Sequence, residues 1–430
     1  MTAGYQMRSR WEQAWTWMPA LTACALPLHP RLSVISLIIW GVMAILGWFI
    51  RIPTQNSNSK QGLNWGSMGP VLYFVGLAVG MAWTEQTEVG WFALEVKSTL
   101  VILPILFHLQ VRWSSNEKWV PRAIQSFLFG LGVYMLWRFA HAAVQLDPAL
   151  WRYDGLAGPF HPSYIAAYLT MGMFLMSAKS RLRIPFLVVA ALFVGLLASK
   201  AGWLVAILVL GAMLVSSRIR SARWDGIVLL SAGMLFLGAI LGDQGRMQEF
   251  MRYATQSSLY LADDMEAEHG LFQDSLSMTE AVPQLKKQSV GSSGGRMQAW
   301  RASWYLLREY PEGVGTGDVV EELVRVYKAQ DSDYASLKRM NPHSAYWQAL
   351  VTLGWIGGVL LLLWWGGLVR ESWKRKSWNL AVFGAIIISH GFFESILELQ
   401  QGVVAWVFLG LLFVQQARAD DKTVTASVSE

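Results

Sequence analysis

Residues Gly294–Gln330 read GGRMQAWRASWYLLREYPEGVGTGDVVEELVRVYKAQ, and Asn341–Gly358 read NPHSAYWQALVTLGWIGG. In the first stretch Met297, Trp300, Trp304 and Leu307 recur at three- and four-residue steps, which predicts an amphipathic helix. The Pro/Gly-rich run Glu309–Gly317 predicts a turn, with Asp318 as N-cap of a second short helix. In the second stretch the sequence turns apolar after His343 and stays so to Val369. A polar segment therefore delivers Arg296 and His343 to the lip of a hydrophobic span.

The rest of the chain agrees with that architecture. Of its 430 residues 54% are hydrophobic and only 15% charged, and the mean hydropathy is +0.34. A water-soluble surface needs more polar area than this composition supplies, so the expected class is an all-α polytopic membrane protein. The 23 Trp residues suit interfacial belts as well as packing. Cys24 is the only cysteine, which excludes an intrachain disulfide and every cysteine-based zinc pattern. MTAGYQMRSRWEQAW carries no cleavage-site pattern after the first apolar run, so that run reads as a retained first span.

Hydropathy places about twelve spans, near 14–28, 33–50, 67–84, 97–111, 121–144, 160–178, 182–198, 201–216, 225–241, 343–369, 377–395 and 400–416. The expected organisation is nine spans in 1–241, a large helical loop at 242–342, three spans in 343–416 and a cytoplasmic tail at 417–430. With a cytoplasmic N-terminus, the inside loops hold fifteen Lys and Arg and the short outside connections four: Arg31, Lys97, Arg152 and Lys200. The loop 242–342 has 11 basic and 15 acidic groups, so the chain's net charge of +6 is a topology signal and not a nucleic-acid footprint. The loop is expected on the extracytoplasmic side of a bacterial inner membrane.

Threading the spans gathers unusual polar residues on that side. His161 lies in GPFHPSY and Lys200 in LLASKAGWL, at a tight apex between two apolar runs. Arg138 falls near the outer end of the fifth span, and Glu394 and Glu398 bracket the last outer turn. Charge at membrane depth is costly and marks function by default. A plainer role stands beside each: snorkelling for Lys200, packing or snorkelling for Arg138, and helix capping for His161. For Glu394 and Glu398, one helical turn apart, it is ion pairing; for His343 it is an interfacial position. Asp263, Asp264, Glu266 and Glu268 read as a solvated run. No credible metalloprotease, nucleophile-elbow or P-loop pattern is present, and no metal or cofactor is expected.

The motifs GPFHPSYIAAY, SKAGW, GGRMQAWRASWYLLREYPEGVGTGD and NPHSAYWQALVTLGWIGG, in this order around a large loop, resemble the O-antigen ligase and polymerase superfamily. The likeness runs over about residues 155–400. It implies a fold of the C-type membrane glycosyltransferase kind and an enzyme using an undecaprenyl-diphosphate-linked glycan as donor. The acceptor would be a hydroxyl of lipid A-core, another lipid-linked glycan or, in a protein O-oligosaccharyltransferase, a protein. The resemblance places the catalytic histidine on His343 and the diphosphate-binding cations on Arg296 and Lys200. Lys200 stands where the family usually has arginine, and Ser344 where it commonly has asparagine. A polyprenyl-glycan transporter is the alternative from another class. It fits less well, because the candidates collect at one side and not near the midplane.

The basic-residue bias generates the first prediction. Cysteine labelling near Gln284 should report the outside and labelling near Lys374 the inside. A loop that labels only after the membrane is permeabilised contradicts the orientation.

Overall fold

The computed structural model describes residues 2–49, 65–114, 117–176, 180–215, 222–242, 292–330 and 332–429. Arg51, Lys60, Lys179, Arg218, Arg220 and the acidic run Asp263–Glu268 lie outside the described residues, as does most of the expected loop. The described chain is helical throughout, with no strand among the described residues. In order come α1 (Thr2–Leu28), α2 (Pro30–Phe49), α3 (Trp65–Gly80), α4 (Thr87–Lys97), α5 (Thr99–Trp113), α6 (Trp119–Gln145), α7 (Tyr153–Ala157), α8 (Pro162–Leu175) and α9 (Arg183–Leu196). Then follow α10 (Lys200–Val215), α11 (Ala222–Gly242), α12 (Ser292–Glu309), α13 (Val319–Ala329), α14 (Asp333–Leu337), α15 (Ala345–Lys374), α16 (Trp378–Phe393) and α17 (Gln400–Ser429).

Among the described residues six helical stretches are long and apolar enough to cross a membrane: Pro30–Phe49, Gly66–Trp83, Thr87–Trp113, Trp119–Gln145, Ala345–Lys374 and Gln400–Asp421. Shorter apolar helices occupy Arg183–Leu196, Lys200–Leu214, Gly226–Ile240 and Trp378–Phe393. Ten of the twelve expected spans fall on these helices, six of them full-length; the expected spans 14–28 and 160–178 fall on α1 and α8, which belong to neither set. The bundle's axis is α17: 83% of its membrane-length window is buried, against 33–50% in the other five. Such a helix is apolar all round because it meets protein on every side. Tryptophan packs around this axis, with Trp11 stacked on Trp15 at 5.1 Å and Phe107 at 5.3 Å from Phe408.

Two boundaries differ from the hydropathy reading. The fourth span begins ten residues earlier, at Thr87, so Lys97 is not a loop charge but a buried residue inside a helical stretch. The tenth span is not one rod. Helix α15 breaks at Leu353 (φ −127°, ψ 17°) and Gly354 (φ 61°, ψ −152°). Tyr346 and Trp365 lie in ring contact at 5.0 Å, yet 19 residues of straight helix would part them by ~28 Å. Arm 345–352 therefore folds back along arm 355–374, and His343 ends up beside α16 instead of at the tip of a span.

The break frees backbone carbonyls, and the turn 310–318 takes them up. Val314 N–H donates to Val351 O at 2.9 Å and Gly315 N–H to Thr352 O at 3.0 Å, while Trp355 N–H donates to Pro311 O at 3.3 Å. The same turn grips the top of α3: Thr316 Oγ1 donates to Leu77 O at 2.6 Å and Thr316 N–H to Thr84 Oγ1 at 2.8 Å. Asp318 holds the N-cap position of α13 but makes no side-chain cap bond there. Its carboxylate instead accepts Glu85 N–H at 2.8 Å and Gln86 N–H at 2.7 Å, just ahead of α4. An acidic group is favoured there by the unpaired amides of a helix start.

Helices α12, α13 and α14 form a second core of Ala299, Ala302, Leu306, Leu323, Val326, Tyr327 and Ala335 beside Val351. The buried stripe of α12 matches the expected one only in part: Leu307 is buried, but Met297 and Trp304 are 42% exposed, and the small residues Ala299 and Ala302 face inward. Small side chains allow the closer helix approach, and Trp304 instead meets Trp347 at 6.2 Å.

The fold-back depends on a left-handed residue at 354, where a Cβ would collide with Pro311 O. Gly354→Ala should cost on the order of 1–3 kcal/mol, read as a lower thermal midpoint in detergent. An unchanged midpoint would mean the turn does not depend on Gly354.

Candidate active site

The expected site residues come from six separated pieces of chain, and the 394–399 connection joins several of them. Glu394 and Glu398 are not on consecutive turns of a helix as expected; they sit in the non-helical link between α16 and α17. Glu394 O accepts Ala345 N–H at 3.1 Å, and Ser395 Oγ accepts Ser344 N–H at 3.1 Å. Ser344 Oγ also donates to Gly391 O at 3.4 Å. The segment carrying His343 is thereby clipped to the end of α16. His343 itself is left-handed (φ 48°), a conformation that is uncommon outside glycine, and its N–H donates to Asn341 Oδ1 at 2.9 Å. Tyr327 OH anchors the approach by donating to Met340 O at 3.2 Å.

Arg296, near the start of α12, reaches Glu394 with Nη2 to Oε1 at 2.7 Å, the side chains being 21% and 9% exposed. Lys97 Nζ reaches Glu398 Oε2 at 2.9 Å. The short link thus carries two carboxylates, each holding a cation from a distant element. His161 caps α8: its Nδ1 lies 2.7 Å from Ser163 Oγ and accepts Ser163 N–H. Burial lowers the His343 pKa, Glu394 opposes that shift, and Arg296 and His161 reinforce it. These three groups therefore lie within electrostatic reach of one imidazole.

Lys200 opens α10 after a tight turn. Ala198 is left-handed (φ 47°), and Ser199 Oγ accepts Gly202 N–H at 3.2 Å. A Cβ on Gly202 would stand 2.5 Å from Ala166 Cβ, so α10 starts against the first turns of α8, beside His161. Lys200 is thus brought to the same end of the bundle as His161. Arg138 has the plainer of its two readings. It is buried, donates to Leu156 O at 3.0 Å and to Gly155 O, and so ties down the short helix α7 ahead of α8.

The site lies below the rim made by 310–318. From Gly354, which touches that turn, down to Trp365 is eleven helical residues, or ~16 Å. From Thr87, next to the Asp318 cap, down to Lys97 is ten residues, or ~15 Å. Two independent helices thus place the floor at one depth.

Sequence reading missed His390 and Lys97. His390 is fully buried on α16, edge-on to Tyr164 at 5.5 Å and Trp406 at 5.4 Å, with no hydrogen-bond partner for either ring nitrogen among the described residues. Its place four residues before Glu394 was the available signal. Among the described residues no three His, Cys, Asp or Glu side chains are placed to hold a metal ion.

Residues 185–362 match the O-antigen ligase family model. The match supports the resemblance to the O-antigen ligase and polymerase superfamily that the motif order carries. The matched segment includes Lys200, Arg296 and His343; His161, Lys97, Glu394 and Glu398 lie outside it. No curated protein shows a significant match to the chain.

A depressed His343 pKa means that the folded chain binds this proton more weakly than the unfolded chain does. The stabilisation is present above the ordinary histidine value of about 6.5 and is lost as pH falls through the folded value. NMR titration of the His343 ring in detergent should give a midpoint below 6.5. Glu394→Gln should lower it further, because the one favourable charge is removed. A midpoint at or above 6.5 contradicts the buried, neutral imidazole.

Proposed function

We propose that this protein is an integral-membrane glycosyltransferase of the O-antigen ligase type. In this reading it moves a glycan from undecaprenyl diphosphate to an acceptor hydroxyl at the periplasmic face of the inner membrane. The observation that carries it is the convergence of His343, Arg296, Glu394 and His161 beside the helices α12–α14, within a chain similar to that superfamily.

The chemistry follows from the groups present. The acceptor oxygen attacks the anomeric carbon opposite the diphosphate, inverting that centre. The carbon–oxygen bond to the diphosphate breaks, and the leaving group departs with the electron pair. His343, neutral at pH 7, takes the hydroxyl proton; a positioned base contributes ~10²–10⁴-fold. Arg296 and Lys200 meet the charge on the leaving oxygens in a partly dehydrated site, where fixed charges act strongly. Lysine at 200 keeps the charge without the bidentate fork of arginine. Glu394 keeps Arg296 in place and competes for it, so Arg296 turns toward the donor as the diphosphate enters. In our reading this arrangement meets the leaving-group charge without a metal ion. Repeat polymerisation and protein O-glycosylation use the same donor chemistry and differ only in the acceptor.

Purified protein in detergent should transfer glycan from the lipid-linked donor to a defined acceptor, whereas a transporter would yield no product. His343→Ala should lower transfer by ~10²-fold or more with binding of undecaprenyl diphosphate retained. His161→Ala serves as comparison and should cost less. Near-wild-type turnover in His343→Ala would remove this residue from the mechanism.

The cations carry a separate expectation. Lys200→Glu and Arg296→Glu should abolish transfer and weaken binding of undecaprenyl diphosphate, while Lys200→Arg keeps substantial activity. If both reversals bind the lipid like wild type, the two residues do not clamp the diphosphate.

A further inference from the structure

We infer that Lys97 is a positioning residue for this site, acting through Glu398 on the backbone that holds His343. The inference rests on the glycosyltransferase reading for its effect on turnover, and on geometry alone for its effect on structure.

Lys97 lies in the last turn of α4, well away in sequence from the residues matched to the family model. Its side chain is 4% exposed, and Glu398, 23% exposed, meets it at 2.9 Å. A buried ammonium is costly to desolvate and persists only where a partner is fixed. Here the partner belongs to the link that organises the site. Glu398 N–H donates to Ser395 O at 3.0 Å, Ser395 Oγ accepts Ser344 N–H, and Glu394 O accepts Ala345 N–H. The chain of bonds therefore runs from Lys97 through 394–398 to the two residues after His343. It also reaches Arg296, whose guanidinium rests on Glu394.

His343 needs such a tether. Its left-handed backbone is held only by its surroundings, and the next two amides find their acceptors in the 394–398 link. If Glu398 lets go of α4, the link is free to shift, and His343 shifts with it. Misplacement of a reacting group by about 1 Å can cost ~10²-fold.

The test uses Lys97→Met, Lys97→Arg and Glu398→Gln as full-length purified proteins in detergent. Amide hydrogen exchange over 343–345 should speed up in Lys97→Met and in Glu398→Gln, with exchange in α6 and α17 unchanged. Lys97→Arg should restore the wild-type rate. Turnover should fall roughly 10- to 100-fold in the first two variants, with the dissociation constant for undecaprenyl diphosphate within about threefold of wild type. Unchanged exchange over 343–345 in either neutralised variant overturns the inference. So does a tenfold loss of undecaprenyl diphosphate binding in Lys97→Met, which would make Lys97 a donor contact. A wild-type protein that transfers nothing sinks the proposed function while leaving the exchange result to stand or fall by itself.

Discussion

The fold-back that brings His343 to α16 depends on how two carbonyls are satisfied. Breaking α15 strips Val351 and Thr352 of their helical partners, and a buried unpaired carbonyl costs about 1–3 kcal/mol. The turn 310–318 supplies Val314 and Gly315 amides to them and closes the exchange through Trp355 and Pro311. Irregular backbone is tolerated at such a place only where protein covers it. The cover here is the same polypeptide that brings Arg296 on one side and the Asp318 cap of α4 on the other. The fold-back, the cap and the depth of the site are therefore one construction.

The site's electrostatics follow the same economy. Two carboxylates in one short link hold two cations brought from α4 and α12. Each charge is balanced before any substrate arrives, so no isolated ion is left in a low-dielectric setting. In the proposed reaction a diphosphate would add two further negative groups, and Lys200 at the start of α10 supplies a cation from another side. The paired arrangement holds Arg296 in position while leaving one strong competitor for it.

The sequence made the class, the order of helices and the motif-bearing segments readable, because these rest on hydropathy and on Pro and Gly placement. His343, Arg296 and Lys200 were named from motif order, and Glu394 and His161 from their polarity beside apolar runs. The fold-back of α15 was not readable. LVTLGWIGGVLLLL is apolar on both sides of Gly354, and hydropathy cannot see a change of direction inside an apolar run. Lys97 was misplaced for a related reason. TEVGWFALEVK is polar enough to look like a connection, although its Lys97 face is turned inward against Glu398. The stripe of α12 is only partly readable, because beside Leu307 the inward contact is made by the small residues Ala299 and Ala302, whose hydropathy is weak.

The clipping of Ser344 and Ala345 to the 394–395 backbone has a consequence for the order in which the molecule is made. Everything needed to hold His343 from below emerges from the ribosome about fifty residues after it does. Until α16 has inserted and the following link has formed, the amides of Ser344 and Ala345 lack the acceptors they have in the folded chain. The geometry around His343 therefore comes into being only after residue 394 has been made. A nascent or truncated protein stopping short of residue 394 would have most of these helices and its histidine unplaced. Under the proposed function, late completion of this kind would keep a half-built protein from meeting an activated lipid donor with a working but unguarded base.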